Sequence, residues 1–179
     1  YAEEQAQITR DMLGRNQVYF LPYLMGERSP HNDSGARGSF IGMSMDTTRA
    51  DMTLSVLEGV AFGIRDSLEV ARSLGIKISR SKVCGGGAKS PLWKEIIANV
   101  LNLELDGIES EEGPGYGAAI LAAVACGEFD SVKSAAEKLV KVTSTVVPNS
   151  ELAALYEERY QVFRNIYPAM KPLFRMIQN

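Results

Sequence analysis

The stretch VCGGGAKSPLW, residues 83–93, decides the fold class, because it carries a short apolar segment through three glycines into a helix. Ser90 is a preferred residue for the N-cap of a helix, and Pro91 is favoured at the first helical position. Strands that alternate with helices are typical of layered α/β proteins. The sequence therefore predicts an α/β domain in which a strand ends at Cys84 and a helix begins after Ser90.

Upstream, the sequence predicts a strand, a long polar loop and a second extended segment. Residues 18–21 are β-branched and aromatic and are followed by Pro22, which indicates a strand. Residues 25–38 are rich in Gly, Ser, Asn and Asp and show no hydrophobic period, so we expect a loop. Loops longer than about 12 residues without secondary structure are usually functional or disordered. Phe40 and Ile41 then form a short extended segment.

The longest predicted helix begins at Thr48, where Asp51 completes a capping box, and ends at Gly75, which suits a left-handed C-terminal cap. Apolar residues recur along it with helical spacing and form one stripe: Met52, Val56, Val60, Ile64, Leu68 and Ala71. Gly59 and Gly63 each cost up to about 1 kcal/mol against Ala inside a helix. We expect another backbone to approach them closely; simple tolerance is the alternative.

Downstream, helical spacing continues to Leu101, and the pattern then predicts a strand and three helices, over residues 103–105, 117–126, 131–140 and 150–167. The Gly-Pro-Gly at 113–115 is expected to break the chain before the first of these helices. Pro168 is expected to end the last one.

The composition indicates one folded domain over residues 1–179. Hydrophobic residues make up 45% of the chain and charged residues 23%, as in ordinary globular proteins. A net charge of −3 without a basic run argues against nucleic acid and anionic membranes as partners. No stretch approaches the ~20 apolar residues of a membrane span. Two cysteines and one histidine argue against a disulfide framework or a metal site, so we expect a cytoplasmic protein.

The three glycines carry the sharpest chemical signal. Without side chains, their peptide groups can approach a ligand closely, and the helix start adds unpaired N–H donors and partial positive charge. That combination suits the phosphates of a nucleotide, or its base and ribose. The spacing is neither the G-x-G-x-x-G fingerprint, whose last glycine is replaced by Ser90, nor a Walker A motif. From spacing alone, a merely tight turn is an equal alternative.

The long loop carries two arginines and the only histidine of the chain. Arg28, His31 and Arg37 could together bind an anion. The alternative is a surface loop held by salt bridges to Glu27 and Asp33, which contribute little when exposed.

Two further groups carry weaker signals. The run of Glu109, Glu111 and Glu112 is interpreted as a solvated face rather than a metal cluster. Cys84 is interpreted as a small buried residue rather than a nucleophile, since only a helix start lies near enough to lower its pKa.

Three segments together resemble the C-terminal domain of FGGY-family carbohydrate kinases. They are FLPYLMGERSPH at 20–31 with ARG at 36–38, LEGVAF at 57–62, and GGGAKS at 85–90 followed by Trp93. The resemblance covers about residues 15–175. It implies a ribonuclease H-like, actin-like ATPase domain, with a mixed sheet flanked by helices. The chain opens at Tyr1 in a helix-like run without a start signal, which we interpret as part of a longer two-domain protein.

In this family, the two domains enclose ATP, and the glycine turn binds its adenosine. Carried over to this chain, the resemblance implies that Gly86, Gly87 and Ala88 face the nucleotide through their backbone. A branched side chain at Gly87 would then enter the adenosine site. An Asn side chain that contacts adenine in glycerol-kinase-like members corresponds here to Pro91, so that contact is missing. Residues 115–119 resemble the helix that packs near the interdomain hinge.

The resemblance also implies that the general base, both phosphate loops, the Mg²⁺-linked acidic residue and the main sugar contacts lie outside this chain. We therefore assign it no catalytic residue and expect the isolated chain to be inactive. The full protein is expected to transfer the γ-phosphate of ATP to a sugar hydroxyl, with D-xylulose as the first expectation. Gluconate, glycerol, ribulose and fuculose are alternatives, as is a non-catalytic actin-like module that binds nucleotide.

Two expectations concern assembly. The protein could form a homodimer. The loop from Gly26 to Gly38 is expected to face the cleft or the opposite domain and to help complete the closed state.

Overall fold

The computed structural model of the chain describes residues 2–110 and 113–177. Six helices lie in these ranges: α1 (Ala2–Gln5), α2 (Arg49–Ser73), α3 (Pro91–Leu101), α4 (Gly113–Ala125), α5 (Val132–Leu139) and α6 (Ser150–Ile177). Five strands accompany them: β1 (Tyr19–Leu21), β2 (Ser39–Ile41), β3 (Arg80–Val83), β4 (Glu104–Ile108) and β5 (Val142–Val146). Short 3₁₀ turns cover Arg10–Met12 and Gly86–Lys89.

The strands form two sheets. β1 and β2 are antiparallel, with Phe20 opposite Phe40, and the long polar loop connects them. In the second sheet, β4 lies between β3, to which it is parallel, and β5, to which it is antiparallel. The predicted mixed sheet with helices packed around it is therefore confirmed. The core between α2, α3 and α6 is built mainly from large aliphatic and aromatic side chains, among them Leu54, Phe62, Ile96, Val100, Tyr156 and Phe163.

The ends of α2 are the ones that the sequence predicts. The Thr48 hydroxyl accepts from the backbone N–H of Asp51, and the Asp51 carboxylate accepts from the backbone N–H of Thr48 at 2.8 Å. This is a complete capping box. Gly75 follows the helix with φ +82°, the left-handed conformation that glycine adopts without strain.

The buried face of α2 differs from the predicted stripe. Ile64 is 43% exposed, whereas Leu54, Leu57 and Phe62 on a different face are buried. That face also carries charged residues that are buried because they are paired: Glu58, Arg65 and Asp66. A search for regularly spaced apolar residues misses this buried face, because three of its buried residues are charged.

A close approach between α2 and β1 is confirmed at Gly59. A Cβ atom on this residue would lie 2.1 Å from the carbonyl oxygen of Phe20, so any side chain there would collide with backbone. At Gly63 the corresponding atom would lie 3.5 Å from the Pro22 ring, which is an ordinary van der Waals contact. The helix therefore requires glycine at residue 59, whereas residue 63 tolerates a methyl group.

A buried ion pair lies beside this contact. Arg159 of α6 donates to the Glu58 carboxylate of α2 at 2.7 Å and to the Val18 carbonyl at 3.3 Å. Burial raises the pKa of Glu58 to about 7, while Arg159 acts in the opposite direction. The loss of one partner from such a pair costs about 3–5 kcal/mol, because the other charge is left buried.

Three elements differ from the sequence prediction. α6 continues through Pro168 and Pro172 to Ile177, because tertiary packing of buried residues such as Phe174 offsets the backbone bonds that the prolines remove. α4 begins at Gly113 rather than at 117, with Pro114 in its first turn, a position that needs no N–H donor. β5 was not predicted; its exposed VTSTV sequence lacks an apolar face. Within residues 2–110 and 113–177, no helix is long and apolar enough to cross a membrane.

The Gly59 contact predicts opposite results for two similar substitutions in the same helix. Gly59→Ala should lower the free energy of unfolding by about 1–3 kcal/mol, because the methyl group overlaps the Phe20 carbonyl. Gly63→Ala should leave it unchanged or raise it by up to about 1 kcal/mol, because helix propensity improves. Urea denaturation of both variants measures the difference, and equal effects would contradict the close approach.

Candidate functional site

The glycine turn connects the end of β3 to the amino end of α3. Gly85 has φ +89°, a conformation that favours glycine, and its carbonyl accepts from the Ala88 N–H at 3.1 Å. The predicted cap is confirmed, because the Ser90 hydroxyl accepts from the Trp93 N–H at 3.1 Å. The first amides of a helical turn have no partner within it. Gly86 and Gly87 therefore present N–H donors at a helix start.

The three glycines have different surroundings. A Cβ atom at Gly85 or Gly86 would meet no atom within 4 Å, so the space beside both is open to a ligand. A Cβ atom at Gly87 would lie 1.7 Å from the Trp93 ring. The expectation that a side chain at Gly87 would enter the nucleotide site is therefore wrong: it would collide with the indole. Glycine at residue 87 is explained by this packing without any ligand.

A small cavity lies beside the turn, at the carboxyl ends of the parallel strands β3 and β4, where α/β proteins commonly bind ligands. Its volume is about 180 Å³. Ala88 lies in its wall, and Gly86 and Gly87 are not among its lining residues. Polar groups from α3 and β5 form another part of the wall, where Lys94 Nζ donates to Ser144 Oγ at 3.3 Å. The backbone of Gly85 and the side chains of Thr143 and Ser144 in this wall could form hydrogen bonds with a polar ligand.

Metal ligands are not gathered in the part of the chain that the structure describes: no three His, Cys, Asp or Glu side chains there could hold an ion. Glu109 lies 3.8 Å from Lys141, in an exposed pair. Glu111 and Glu112 lie outside the described residues. Cys84 is exposed at the end of an edge strand, so its predicted burial is wrong.

The long loop is not held by the salt bridges considered as an alternative. Arg37 donates instead to the carbonyls of Ser34 at 2.9 Å and Ala36 at 2.7 Å. Glu27 accepts from the backbone N–H of Ser29 at 3.0 Å. Arg28 is exposed and forms no ion pair within residues 2–110 and 113–177. The loop's basic side chains therefore have separate environments, and the structure does not form an anion clamp from them.

His31 belongs to a buried polar cluster beneath the loop. Its Nε2 lies 3.1 Å from the Tyr23 hydroxyl, and Tyr23 and Tyr160 both donate to Asp66, at 3.3 and 2.7 Å. Burial lowers the pKa of His31 and raises that of Asp66. Sequence reasoning missed Asp66 and Tyr160, because Asp66 is one of several charged residues in α2 and nothing in the sequence sets it apart.

A sequence profile of the FGGY family of carbohydrate kinases, C-terminal domain, matches residues 2–126. A xylulose kinase from Staphylococcus epidermidis is 42% identical over 161 residues, which cover 90% of this chain and 32% of the relative. One from Bacillus subtilis is 35% identical with the same coverage. The crystal structure of a xyloylose kinase from Brucella ovis, 35% identical, superimposes with a TM-score of 0.84 over 96% of this chain and 35% of its own.

The chain thus spans about a third of the length of the curated relatives that it matches. The structural likeness confirms the predicted ribonuclease H-like, actin-like ATPase fold. The matched range contains the long loop, α2 and the glycine turn, and it ends before α5, β5 and α6. The chain belongs to the FGGY family of carbohydrate kinases, and its residues 2–126 correspond to the C-terminal domain of that family.

Proposed function

We propose that this chain is the nucleotide-binding part of an ATP-dependent sugar kinase that converts D-xylulose to D-xylulose 5-phosphate. The observation that carries the choice of sugar is the 42% identity to a xylulose kinase over nine-tenths of the chain. Gluconate is the second candidate, because a gluconate kinase from Lactobacillus acidophilus superimposes with a TM-score of 0.82 at 25% identity.

The proposed role of this chain is to bind and orient ATP. The open backbone at Gly86, the neighbouring Gly87 amide and Ala88 in the cavity wall would hold the adenosine. Phosphoryl transfer depends mainly on positioning and on stabilising the charge of the transferred group. The base that takes the sugar proton and the acidic groups that hold Mg²⁺ would come from the remainder of the protein. This chain's own contribution is adenosine binding and, through its loop, exclusion of water on closure.

A substrate panel tests the proposed function. The full-length protein should release ADP from ATP in the presence of D-xylulose, with a product that carries phosphate on the terminal hydroxyl. Gluconate, glycerol, ribulose and fuculose serve as the comparison set, and phosphorus NMR identifies the product. Higher kcat/KM for another member of the panel would replace xylulose, and ATP binding without ADP release for any sugar would favour a non-catalytic module.

The open space at Gly86 predicts a selective effect on ATP. Gly86→Val should raise the KM for ATP about tenfold, equivalent to about 1.4 kcal/mol of binding free energy, because the side chain would occupy the space proposed for adenosine. The KM for sugar should stay within about twofold, and the melting temperature should be unchanged. Steady-state kinetics with each substrate varied in turn measures both constants.

Gly87→Ala is the structural control for that experiment. Its methyl group would strike Trp93 and should lower the melting temperature, by the overpacking cost of about 1–3 kcal/mol. If Gly86→Val left the KM for ATP unchanged, or raised the KM for sugar equally, the turn would not be the nucleotide site.

The exposed side chain of Arg28 leads us to predict that the loop takes part in closure of the two domains. The side chain is exposed and forms no ion pair in the described part of the chain, so it is available to a phosphate or a carboxylate across the cleft. Arg28→Ala should lower kcat about fivefold, because even a small displacement of the reacting groups slows catalysis. The melting temperature should not change, since an exposed charge contributes within about 0.5 kcal/mol. A kcat within twofold of wild type would show that the loop has no such role.

A further inference from the structure

A partly buried cluster of polar side chains attaches the long loop to two helices, α2 and α6. Its members, which we name the loop anchor, are three tyrosines, two aspartates and one histidine: Tyr23, His31, Asp33, Asp66, Tyr160 and Tyr167. None of them belongs to the glycine turn or to its cavity. The loop anchor is therefore separate from the proposed nucleotide site.

The first half of the anchor is centred on Asp66 of α2. Its carboxylate accepts from the Tyr160 hydroxyl of α6 at 2.7 Å and from the Tyr23 hydroxyl at 3.3 Å. The Nε2 atom of His31 lies 3.1 Å from the same Tyr23 hydroxyl, within hydrogen-bond distance. One continuous set of hydrogen bonds thus connects α6 and α2 to the loop.

The second half of the anchor is Tyr167, two helical turns beyond Tyr160 on α6. Its ring stacks on the His31 ring with centroids 3.8 Å apart and planes at 19°. Its hydroxyl donates to the Asp33 carboxylate at 2.6 Å. α6 therefore contacts the loop at residues 31 and 33, on either side of Asn32, which has φ +45°.

These outer contacts add to hydrogen bonds that the loop makes within itself. A single antiparallel bridge joins Glu27 and Asp33, at 2.9 and 2.8 Å, and the Asn32 N–H donates to the Arg28 carbonyl at 3.1 Å. Ordering a polar segment of this length still costs conformational entropy. Hydrogen bonds to the Asp66 and Asp33 carboxylates are charge-assisted and therefore stronger than bonds between neutral groups. They can offset part of this entropy cost.

The helix that supplies both tyrosines lies outside the range matched by the family profile. That range ends at residue 126, and α6 begins at Ser150. The loop and Asp66 lie within the matched range. α6 is nevertheless part of the fold shared with solved relatives, because the superposition with the kinase from Brucella ovis covers 96% of this chain.

We propose that Tyr160 and Tyr167 are positioning residues that hold the loop, with Arg28 at its exposed edge, in the conformation required for phosphoryl transfer. The proposal rests on the proposed function for its catalytic consequence only. The tyrosines touch neither substrate in this proposal; they act through His31, Asp33 and Asp66. Release of the loop would leave nucleotide binding at the glycine turn intact and would lower the rate of transfer.

The test uses Tyr160→Phe, Tyr167→Phe and the double variant in the full-length protein. Phenylalanine keeps each ring, including the one beneath Arg65 at 4.0 Å, and removes only the hydroxyl. Tyr156→Phe is the matched control, because Tyr156 is a buried tyrosine of the same helix whose hydroxyl faces Glu58 rather than the loop. Amide hydrogen exchange of peptides covering residues 24–38 measures opening of the loop, with peptides covering α5 as the internal reference.

We expect each anchor variant to speed exchange of the loop about tenfold, and the double variant more, with α5 unchanged. The control should leave loop exchange unchanged. In kinetics, kcat should fall in the anchor variants while the KM for ATP stays within about twofold. A merely structural role would instead speed exchange throughout the chain and lower the melting temperature in parallel.

The possible results separate the two proposals. Unchanged loop exchange in the double variant would overturn the anchor, whatever the activity. Faster loop exchange with wild-type kcat would overturn the positioning role. If the wild-type protein phosphorylated no sugar, the proposed function would fail, and hydrogen exchange alone would decide whether α6 holds the loop.

Discussion

The contact of Gly59 with the carbonyl of Phe20 is the constraint on which the rest of the structure depends. At this contact the backbones of α2 and β1 are closer together than any side chain at residue 59 would allow. Since β1 runs directly into Pro22 and the long loop, the same contact sets where the loop leaves the sheet. Glu58 directly precedes Gly59 in α2. Its partner Arg159 of α6 also donates to the Val18 carbonyl just before β1, so α6 is joined to both of these segments.

Two buried carboxylates of α2, two helical turns apart, therefore have different consequences. Glu58 joins α2 to Arg159 of α6, and Arg159 also donates to the Val18 carbonyl directly before β1. Asp66, two turns further along, joins the same two helices to a surface loop. Burial raises the pKa of both carboxyls, and each keeps hydrogen-bond donors around it that favour the charged form. Buried polar groups of this kind specify one arrangement of their neighbours, because any other leaves them without partners.

The glycine turn shows how one sequence signal can have several physical causes. Gly85 supplies a positive φ, Gly86 leaves open space, and Gly87 makes room for Trp93. Only the second of these causes points to a ligand. The run of three glycines predicted the turn correctly, and the sequence could not say which of the three was there for packing, because Trp93 reaches the turn only once α3 has formed.

The sequence by itself determined the features that depend on residues a few positions apart: the capping box at Thr48, the cap at Ser90, the left-handed end at Gly75 and the extent of the loop. Only the tertiary structure decided which face of α2 is buried, that α6 continues past Pro168, and that the loop is attached to α6. These depend on partners far away in the chain; Glu58 and Arg159, for example, are 101 residues apart. Local backbone preferences can be read from neighbours, whereas the pairing that permits a charge to be buried exists only when distant segments have met.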